Sequence, residues 1–442
     1  MAAFPLLERL VRRQSDAWCR TALASGTALQ DAVDGIVRQL GRCGPADLAL
    51  VFASASYASD LPRLIPLLQQ RLRASHWLGC LGGGVVGTEA SGIPRELEQE
   101  PALSVTLLRL PGAEVHPFAL NGSDLPDLDG PAEPWLQQVG CPSEGVHSML
   151  LFIDPGSAAI NDLISGLDYA YPEAVKVGGI AAAHSAAHGS LLFADPQASE
   201  EAPSTASSTV SGTRPSTTVP STVRTGAVGC LLRGAWGLDA VVAQGCRPIG
   251  PILAVEQAQR NVVLQVSEGE RRRSPVAALQ AILTELTPAE REQVKDSLFL
   301  GVGQSSFSLE SGGQSGSPAF LVRNLIGVDP RNGAVAVGER MRVGQQVQFQ
   351  LRDAQSSRQE LNQLLAIQAQ AQPQPLAALL FACLGRGQGL YGTADGDVEP
   401  CRQHFPETPI AGAFCQGELG PVAGSTHLHG YTASWGFVVA KG

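Results

Sequence analysis

Arg386 stands between Gly385 and Gly387 at the end of an apolar run, Leu379-Leu380-Phe381-Ala382-Cys383. A guanidinium there grips a carboxylate through two parallel N–H bonds, and the flanking glycines let backbone approach a small molecule. About thirty residues on, a glycine-rich stretch carries Cys415, Gly417 and Glu418. Glu418 complements Arg386: a zwitterion such as an amino acid would satisfy both charges, and an internal Arg–Glu pair would satisfy them without a ligand. Cys383, Cys415 and one edge of the 427–432 segment are expected on the wall of the same pocket. A nucleophilic thiol needs a lowered pKa and a nearby base, so Cys246, Cys383 and Cys415 read first as buried, inert thiols. His427 and His429 are expected on opposite sides of a strand, which leaves His429 as the one histidine for the site. His184 and His188 have metal-ligand spacing only on a helix, and the glycines at 179 and 189 place them in a loop. The expected ligand-binding set is therefore Arg386, Glu418, Cys383, Cys415, Gly385, Gly387, Gly417 and His429. It includes no metal, no catalytic residue and no cofactor. On this reading Arg386→Ala abolishes ligand-induced stabilisation and leaves the fold intact.

The elements that must position this set occur three times. Leu48-Ala49-Leu50-Val51-Phe52 precedes Gly79-Cys80-Leu81-Gly82-Gly83-Gly84. Met149-Leu150-Leu151-Phe152-Ile153-Asp154 precedes Gly178-Gly179. The third copy is the Phe381 run. From strand phenylalanine to glycine cluster is about 27, 26 and 31 residues. Each copy reads strand, helix, glycine-rich strand. Leu61, Leu64, Ile65, Leu68 and Leu72 give the first copy its helical stripe. The predicted fold class is α/β, with α+β the variant: two layered domains of mixed β-sheets and helices built from repeated strand–helix–strand units. Phe52, Phe152 and Phe381 should occupy matching strands.

A chain of 442 residues exceeds one typical core, so two domains are expected. Helices are predicted over 5–24 and from Thr27, the latter burying Leu29, Val33, Ile36 and Leu40. Residues 1–40 then pack on a first domain spanning 41–250, and 251–442 form the second. The Ser/Thr/Pro-rich segment 196–222 is expected to be a disordered insertion at the tip of a hairpin joining 190–194 to 227–233. Thr287-Pro288-Ala289-Glu290 is a capping box. A helix near 357–371 is expected to be capped by Ser356 or Ser357. A net charge of −10 argues against nucleic acid and anionic lipid as partners. Nine unpatterned cysteines read as reduced thiols and point to the cytoplasm. P-loop, HExxH and GxSxG motifs are missing from the chain, and the Gly82–Gly87 run lacks the helix and acid of a dinucleotide site.

Taken in order, these motifs resemble the FIST family, in its paired FIST-N and FIST-C form. The first half carries the resemblance through Gly82–Gly87, Leu151-Phe152-Ile153-Asp154-Pro155, Val177-Gly178-Gly179-Ile180-Ala181 and Gln244-Gly245-Cys246-Arg247-Pro248-Ile249-Gly250. The second half carries it through Ile326-Gly327-Val328-Asp329-Pro330, Leu380–Gly387 and Gly417-Glu418-Leu419-Gly420-Pro421. The resemblance implies an intracellular signal-input module that binds a small ligand, with amino acids as candidates, and a separate signalling partner protein. It also brings a second reading, a haem-based nitric oxide sensor. A cysteine/histidine hydrolase or transferase is the enzymatic alternative, and a thiol hydrogen-bonded to His427 or His429 would mark it.

Overall fold

The computed structural model describes residues 16–195, 222–304 and 319–441. Its main body repeats one unit three times, with eight elements in the first two copies and nine in the third, where two short helices take the place of one. The first unit runs β1 (Trp18–Ser25), α1 (Leu29–Leu40), β2 (Ala46–Ser54), α2 (Leu61–Gln69), β3 (Ala74–Gly82), β4 (Val85–Thr88), β5 (Pro94–Leu97) and β6 (Ala102–Arg109). The second runs β7 (Ala113–Leu120), α3 (Glu133–Val139), β8 (Val146–Ile153), α4 (Ile160–Ala170), β9 (Val175–Ile180), β10 (Leu191–Ala194), β11 (Val223–Arg224) and β12 (Ala227–Gly234). The third opens with β13 (Trp236–Ala243) and is interrupted by a β-domain. That domain contains β14 (Cys246–Pro248), β15 (Leu253–Gln259), β16 (Val262–Glu268), β17 (Arg271–Arg273), α5 (Pro275–Glu285), α6 (Pro288–Ser297), β18 (Leu298–Gln304), β19 (Ala319–Val328), β20 (Val335–Val337) and β21 (Gln346–Arg352). The third unit then resumes with α7 (Ala354–Ala371), β22 (Ala377–Cys383), the short α8 (Gly387–Tyr391) and α9 (Val398–His404), β23 (Ile410–Cys415), β24 (Gly417–Val422), β25 (Ser425–His429) and β26 (Ala433–Ala440).

The three sheets share one plan, in the orders β1-β6-β2-β3-β10-β11, β7-β12-β8-β9-β24-β25 and β13-β26-β22-β23-β4-β5. Each has a parallel pair at its centre and, on the far edge, a hairpin lent by another unit. Unit one lends β4–β5 to the third sheet, unit three lends β24–β25 to the second, and unit two lends β10–β11 to the first. Helices cover the outer faces in three separate apolar cores, and the inner faces meet in a fourth. At its heart Phe52, Phe152 and Phe381 touch edge to face in all three pairings, with ring centroids 5.6, 5.9 and 5.4 Å apart. The glycines follow from the same register. Gly79, Gly178 and Gly412 each lie opposite the residue preceding the phenylalanine on the neighbouring parallel strand. A Cβ at any of them would come within 1.9 Å of that residue's carbonyl oxygen. The mixed α/β class and the matching strands of the three phenylalanines stand as expected.

The inserted segment closes on itself. Its strands pair around a ring, β21-β15-β16-β20-β19-β18, and β18 returns to β21. This small barrel has its own apolar core, including Ile249, Val255, Val302 and Phe349. The chain enters the barrel at β14 and returns afterwards to complete the third unit. β13 and β26 pair from either side of the barrel segment.

Several local expectations are corrected. Residues 18–25 form β1, not a helix, because they pair along their whole length with β6. Leu23 turns inward to the central core while Ala22 and Ala24 turn outward to the helix-packed one, so both faces are apolar and the two-residue period is hidden. Residues 1–15 of the expected helix lie outside the described residues. The helix placed from Thr27 starts at Leu29 with Ala28 at its cap and no side-chain cap bond. Helix α7 is capped by Asp353, whose carboxylate accepts the Ser356 N–H, in place of Ser356 or Ser357. The expected hairpin of 190–194 with 227–233 does not form: β10 pairs with β3 and β11, and β12 belongs to a different sheet. Residues 196–221 lie outside the described residues. The capping box at Thr287 and Glu290 is present.

The candidate functional site

The strand β22 is buried along its whole length, and it ends in a tight turn where the Arg386 N–H donates to the Cys383 carbonyl at 2.9 Å. This turn carries Arg386 inward, where it has no solvent exposure. Its Nε and Nη2 donate to Asp397 at 2.9 and 2.6 Å, Nη2 also reaches the Tyr391 hydroxyl at 2.6 Å, and Nη1 reaches the Tyr431 carbonyl at 3.2 Å. Burial opposes the charge, but the Asp397 carboxylate overrides it and holds the guanidinium more firmly protonated than usual. The carboxylate expected to face Arg386 is thus Asp397, and Arg386 makes no hydrogen bond to Glu418 among the described residues. The lent hairpin β4–β5 completes the cluster. Glu96 on β5 accepts the N–H groups of Asp397 and Val398, both at 2.8 Å, and Glu98 accepts that of Gln388 at 2.8 Å. Gly387 has φ +54, and the space beside it is filled by the Glu98 carboxylate, within 2.5 Å of a would-be Cβ.

Glu96 is enclosed with one oxygen unpartnered. Burial first, and then the Asp397 charge, push its carboxyl up to about 8 against the pull of its two N–H donors. A carboxyl that holds its proton more tightly folded than unfolded makes stability fall as pH rises from about 4.5 toward 8. The melting temperature should therefore rise on mild acidification from pH 8 to pH 5. Glu96→Gln keeps the acceptor for both N–H groups, so it should flatten this slope in melts recorded across that range. An unchanged slope in the variant would show that Glu96 does not carry it.

Glu418 lies at the start of β24, opposite Gly179 on β9. Gly179 itself lies opposite Phe152, so the repeat fixes the equivalents of Glu418: Val85 opposite Ala413, and Leu191 opposite Cys80. Val85 and Leu191 both belong to the central apolar core. The third unit thus carries a carboxyl where the other two carry hydrocarbon. Glu418 is fully buried; Oε2 accepts the Thr432 N–H at 3.1 Å and Oε1 has no partner. Burial drives its pKa well up, while Thr432, Arg386, the Cys383 thiol and Arg352 pull it back.

Two residues that the motifs did not reveal complete the surroundings. Arg352, the last residue of the barrel strand β21, donates from Nη2 to the Gly385 carbonyl at 2.8 Å and lies 4.3 Å above the Tyr431 ring. Its buried Nη1 has no acceptor. Tyr431 sits at φ +64, a conformation costly for a bulky side chain, with its ring edge-on to Phe299 of the barrel at 5.2 Å. The room at Gly385 is taken by this ring, and that at Gly417 by Leu428. Cys383 lies in the same neighbourhood, its Sγ accepting the Gly385 N–H at 3.5 Å and its thiol pushed up to about 11 by burial and then by Glu418.

Cys415 adjoins this group from the central core, its thiol directed at the Ala413 carbonyl, its Sγ packed over Gly179 and its pKa raised by burial and then by neighbours that include Glu418 and Cys383. His429 is buried, its Nε2 within hydrogen-bond distance of the Gly420 carbonyl at 3.0 Å, and burial lowers its pKa to about 3. His427, expected on the opposite side of β25, is half-buried on the same side, its ring centroid 6.3 Å from that of His429, because residues two apart in a strand share a face. No thiol is hydrogen-bonded to a histidine among the described residues, so the mark of the enzymatic alternative is missing there. Cys246 is half-buried, with its thiol raised to about 12 by burial. His184 and His188 lie in a loop with ring centroids 5.1 Å apart, each Nδ1 engaged with backbone. Sequence reasoning missed Asp397, Glu96 and Arg352 because none is near Arg386 in a motif. Tyr431 was signalled only as part of the 427–432 wall.

The two halves of the chain, including the inserted barrel, are matched by a pair of family models. The FIST N domain matches residues 47–268 and the FIST C domain residues 277–421. The chain belongs to the FIST family, whose domains are sensory, signal-transduction domains. It is similar to an uncharacterized protein of Mycobacterium tuberculosis (strain CDC 1551 / Oshkosh), 31% identical over 401 residues, covering 90% of this chain and 92% of the relative. An uncharacterized protein of Mycobacterium bovis is 29% identical over 395 residues, covering 89% and 90%. No helix among the described residues is long and apolar enough to cross a membrane.

Proposed function

We propose that this protein is a signal-input module that binds a small polar ligand beside Glu418, at the seam between the threefold body and the barrel. One observation carries the reading: Glu418 is a fully buried carboxyl with an unpartnered oxygen, at a position that the repeat fills with valine and leucine. Burying a carboxyl in an apolar core costs several kcal/mol unless a partner offsets it. A ligand bearing an ammonium group supplies that partner, which makes an amino acid the first candidate. Glu418 is closed off from solvent, so binding requires the seam to part. Output passes to a separate signalling protein through this movement.

The alternative of thiol catalysis draws little support from Cys383, whose thiolate is disfavoured by burial and by Glu418. A thermal-shift screen over L-amino acids and small amines tests the sensory reading. A ligand at a hundred times its dissociation constant adds about 2.7 kcal/mol of stability. Glu418→Gln preserves shape and removes the charge, and it should abolish the response to whichever compound stabilises the wild type. A screen in which nothing stabilises the protein, or in which the variant responds equally, would overturn the reading.

A further inference from the structure

We propose that Arg352 is the residue that recognises a carboxylate on the ligand, and that a ligand held between Arg352 and Glu418 clamps the barrel to the threefold body. This rests on the reading that ligand binds beside Glu418. Arg352 belongs to the barrel and Glu418 to the lent hairpin β24–β25, yet both meet at the same few residues. Arg352 holds the Gly385 carbonyl and covers Tyr431, while Glu418 holds the N–H of Thr432, the residue after Tyr431. Cys383 joins the two sides, its N–H donating to the Thr432 carbonyl at 3.0 Å and its Sγ accepting from Gly385.

The groups at this seam are complementary to a zwitterion: Arg352 is cationic, and an ammonium beside Glu418 would favour the ionised form of a carboxyl that burial otherwise keeps protonated. Arg352 forms no ion pair among the described residues, whereas the neighbouring Arg386 is fully engaged by Asp397. The two guanidinium groups repel each other, and Arg352 acts on Glu418 only at a distance, with no ion pair between them among the described residues. Among the described residues its Nη1 is buried with no acceptor, and Glu418 Oε1 is buried with no donor. A carboxylate satisfies the first and an ammonium the second. A guanidinium offers two parallel N–H donors to such a group, so the amide of the same compound, which lacks the charge, should bind far more weakly.

The barrel otherwise touches this region through Phe299 against Tyr431 and through Arg323, whose Nη1 donates to the Leu428 carbonyl at 2.8 Å. These contacts fall on the β25–β26 segment, beside Glu418. A ligand bridging Arg352 to Glu418 adds an ionic link across the same seam. Ligand occupancy is thereby converted into barrel position, which a partner protein can read.

The experiment uses the full chain and a panel of L-amino acids, each paired with its carboxamide, read by thermal shift and calorimetry. The expected result is that the best-binding amino acid loses at least about tenfold in affinity as its amide. It should lose a similar factor on Arg352→Gln and less on Arg352→Lys, which keeps the charge and loses the fork. The ligand-free melting temperatures of both variants show whether they fold. If they do not, the comparison of acid with amide on the wild type decides the matter. Hydrogen exchange at Gly385 and at 430–432 should slow when the amino acid is added. Binding lost on Glu418→Gln but unchanged on Arg352→Gln overturns this inference and leaves the sensory reading standing. Equal binding of acid and amide also overturns it. A panel with no binder overturns both.

Discussion

Arg386→Ala is expected to destabilise the protein by about 3–5 kcal/mol, seen as a shifted urea midpoint. The sequence alone suggested the opposite, a variant that folds and only loses its ligand. The difference lies in where the charge is spent. Asp397 is fully buried and takes both of its guanidinium bonds from Arg386. Truncating Arg386 leaves that carboxylate charged and unaccompanied in a low-dielectric interior, with the Tyr391 hydroxyl as its remaining side-chain donor at 2.8 Å. It also frees the Tyr431 carbonyl, which helps hold that residue at φ +64. Removing both charges should cost less than removing one, because no bare ion then remains. Arg386→Met combined with Asp397→Leu should thus be more stable than Arg386→Ala. If Arg386→Ala melts within a degree of the wild type, the ion pair is not holding the α8–α9 turn.

Phe381→Ala is expected to cost about 3–5 kcal/mol, and Phe52→Ala and Phe152→Ala about the same. Each ring is fully buried and touches the other two, so each truncation opens a cavity at the same point. Edge-to-face contacts add to the lost burial. A second truncation enlarges a cavity already present and removes a contact already lost. The double variant Phe52→Ala/Phe381→Ala should then cost less than the sum of its parts, a coupling measurable in a double-mutant cycle. Three very unequal single costs, or strict additivity, would mean the rings do not act as one cluster.

The Phe–Gly repeat was legible because it is written in local chemistry. A buried parallel strand is a continuous apolar run, and its neighbour needs glycine where a carbonyl lies within 1.9 Å of a side chain's first carbon. Spacing then carried the repeat. What stayed hidden depends on distant partners. β1 is a strand only because β6 lies beside it. Arg386 and Glu418 stand out in the sequence by their glycine neighbours, but their surroundings do not, since Asp397, Glu96 and Arg352 reach them from other elements. The asymmetry of Glu418 becomes visible only once the register aligns it with Val85 and Leu191. The glycines around Arg386 were read as room for a ligand, and the protein's own Tyr431 and Glu98 fill that room.

The exchange of hairpins has a consequence for how this chain reaches its fold. Thr88 on the lent hairpin bonds Ile410, 322 positions along the chain. The third sheet therefore cannot close until nearly the whole sequence has been made, and until then β4–β5 has no sheet to join. The first sheet waits in the same way for β10, and the second for β24. Such long-range pairing carries a large loop-closure entropy before any contact rewards it, which makes folding slow and late. During synthesis the early units present unpaired strand edges, the state in which chains aggregate or need a chaperone. Once the ring of exchanges is complete, no unit can leave without opening two sheets, so the body should unfold as a whole.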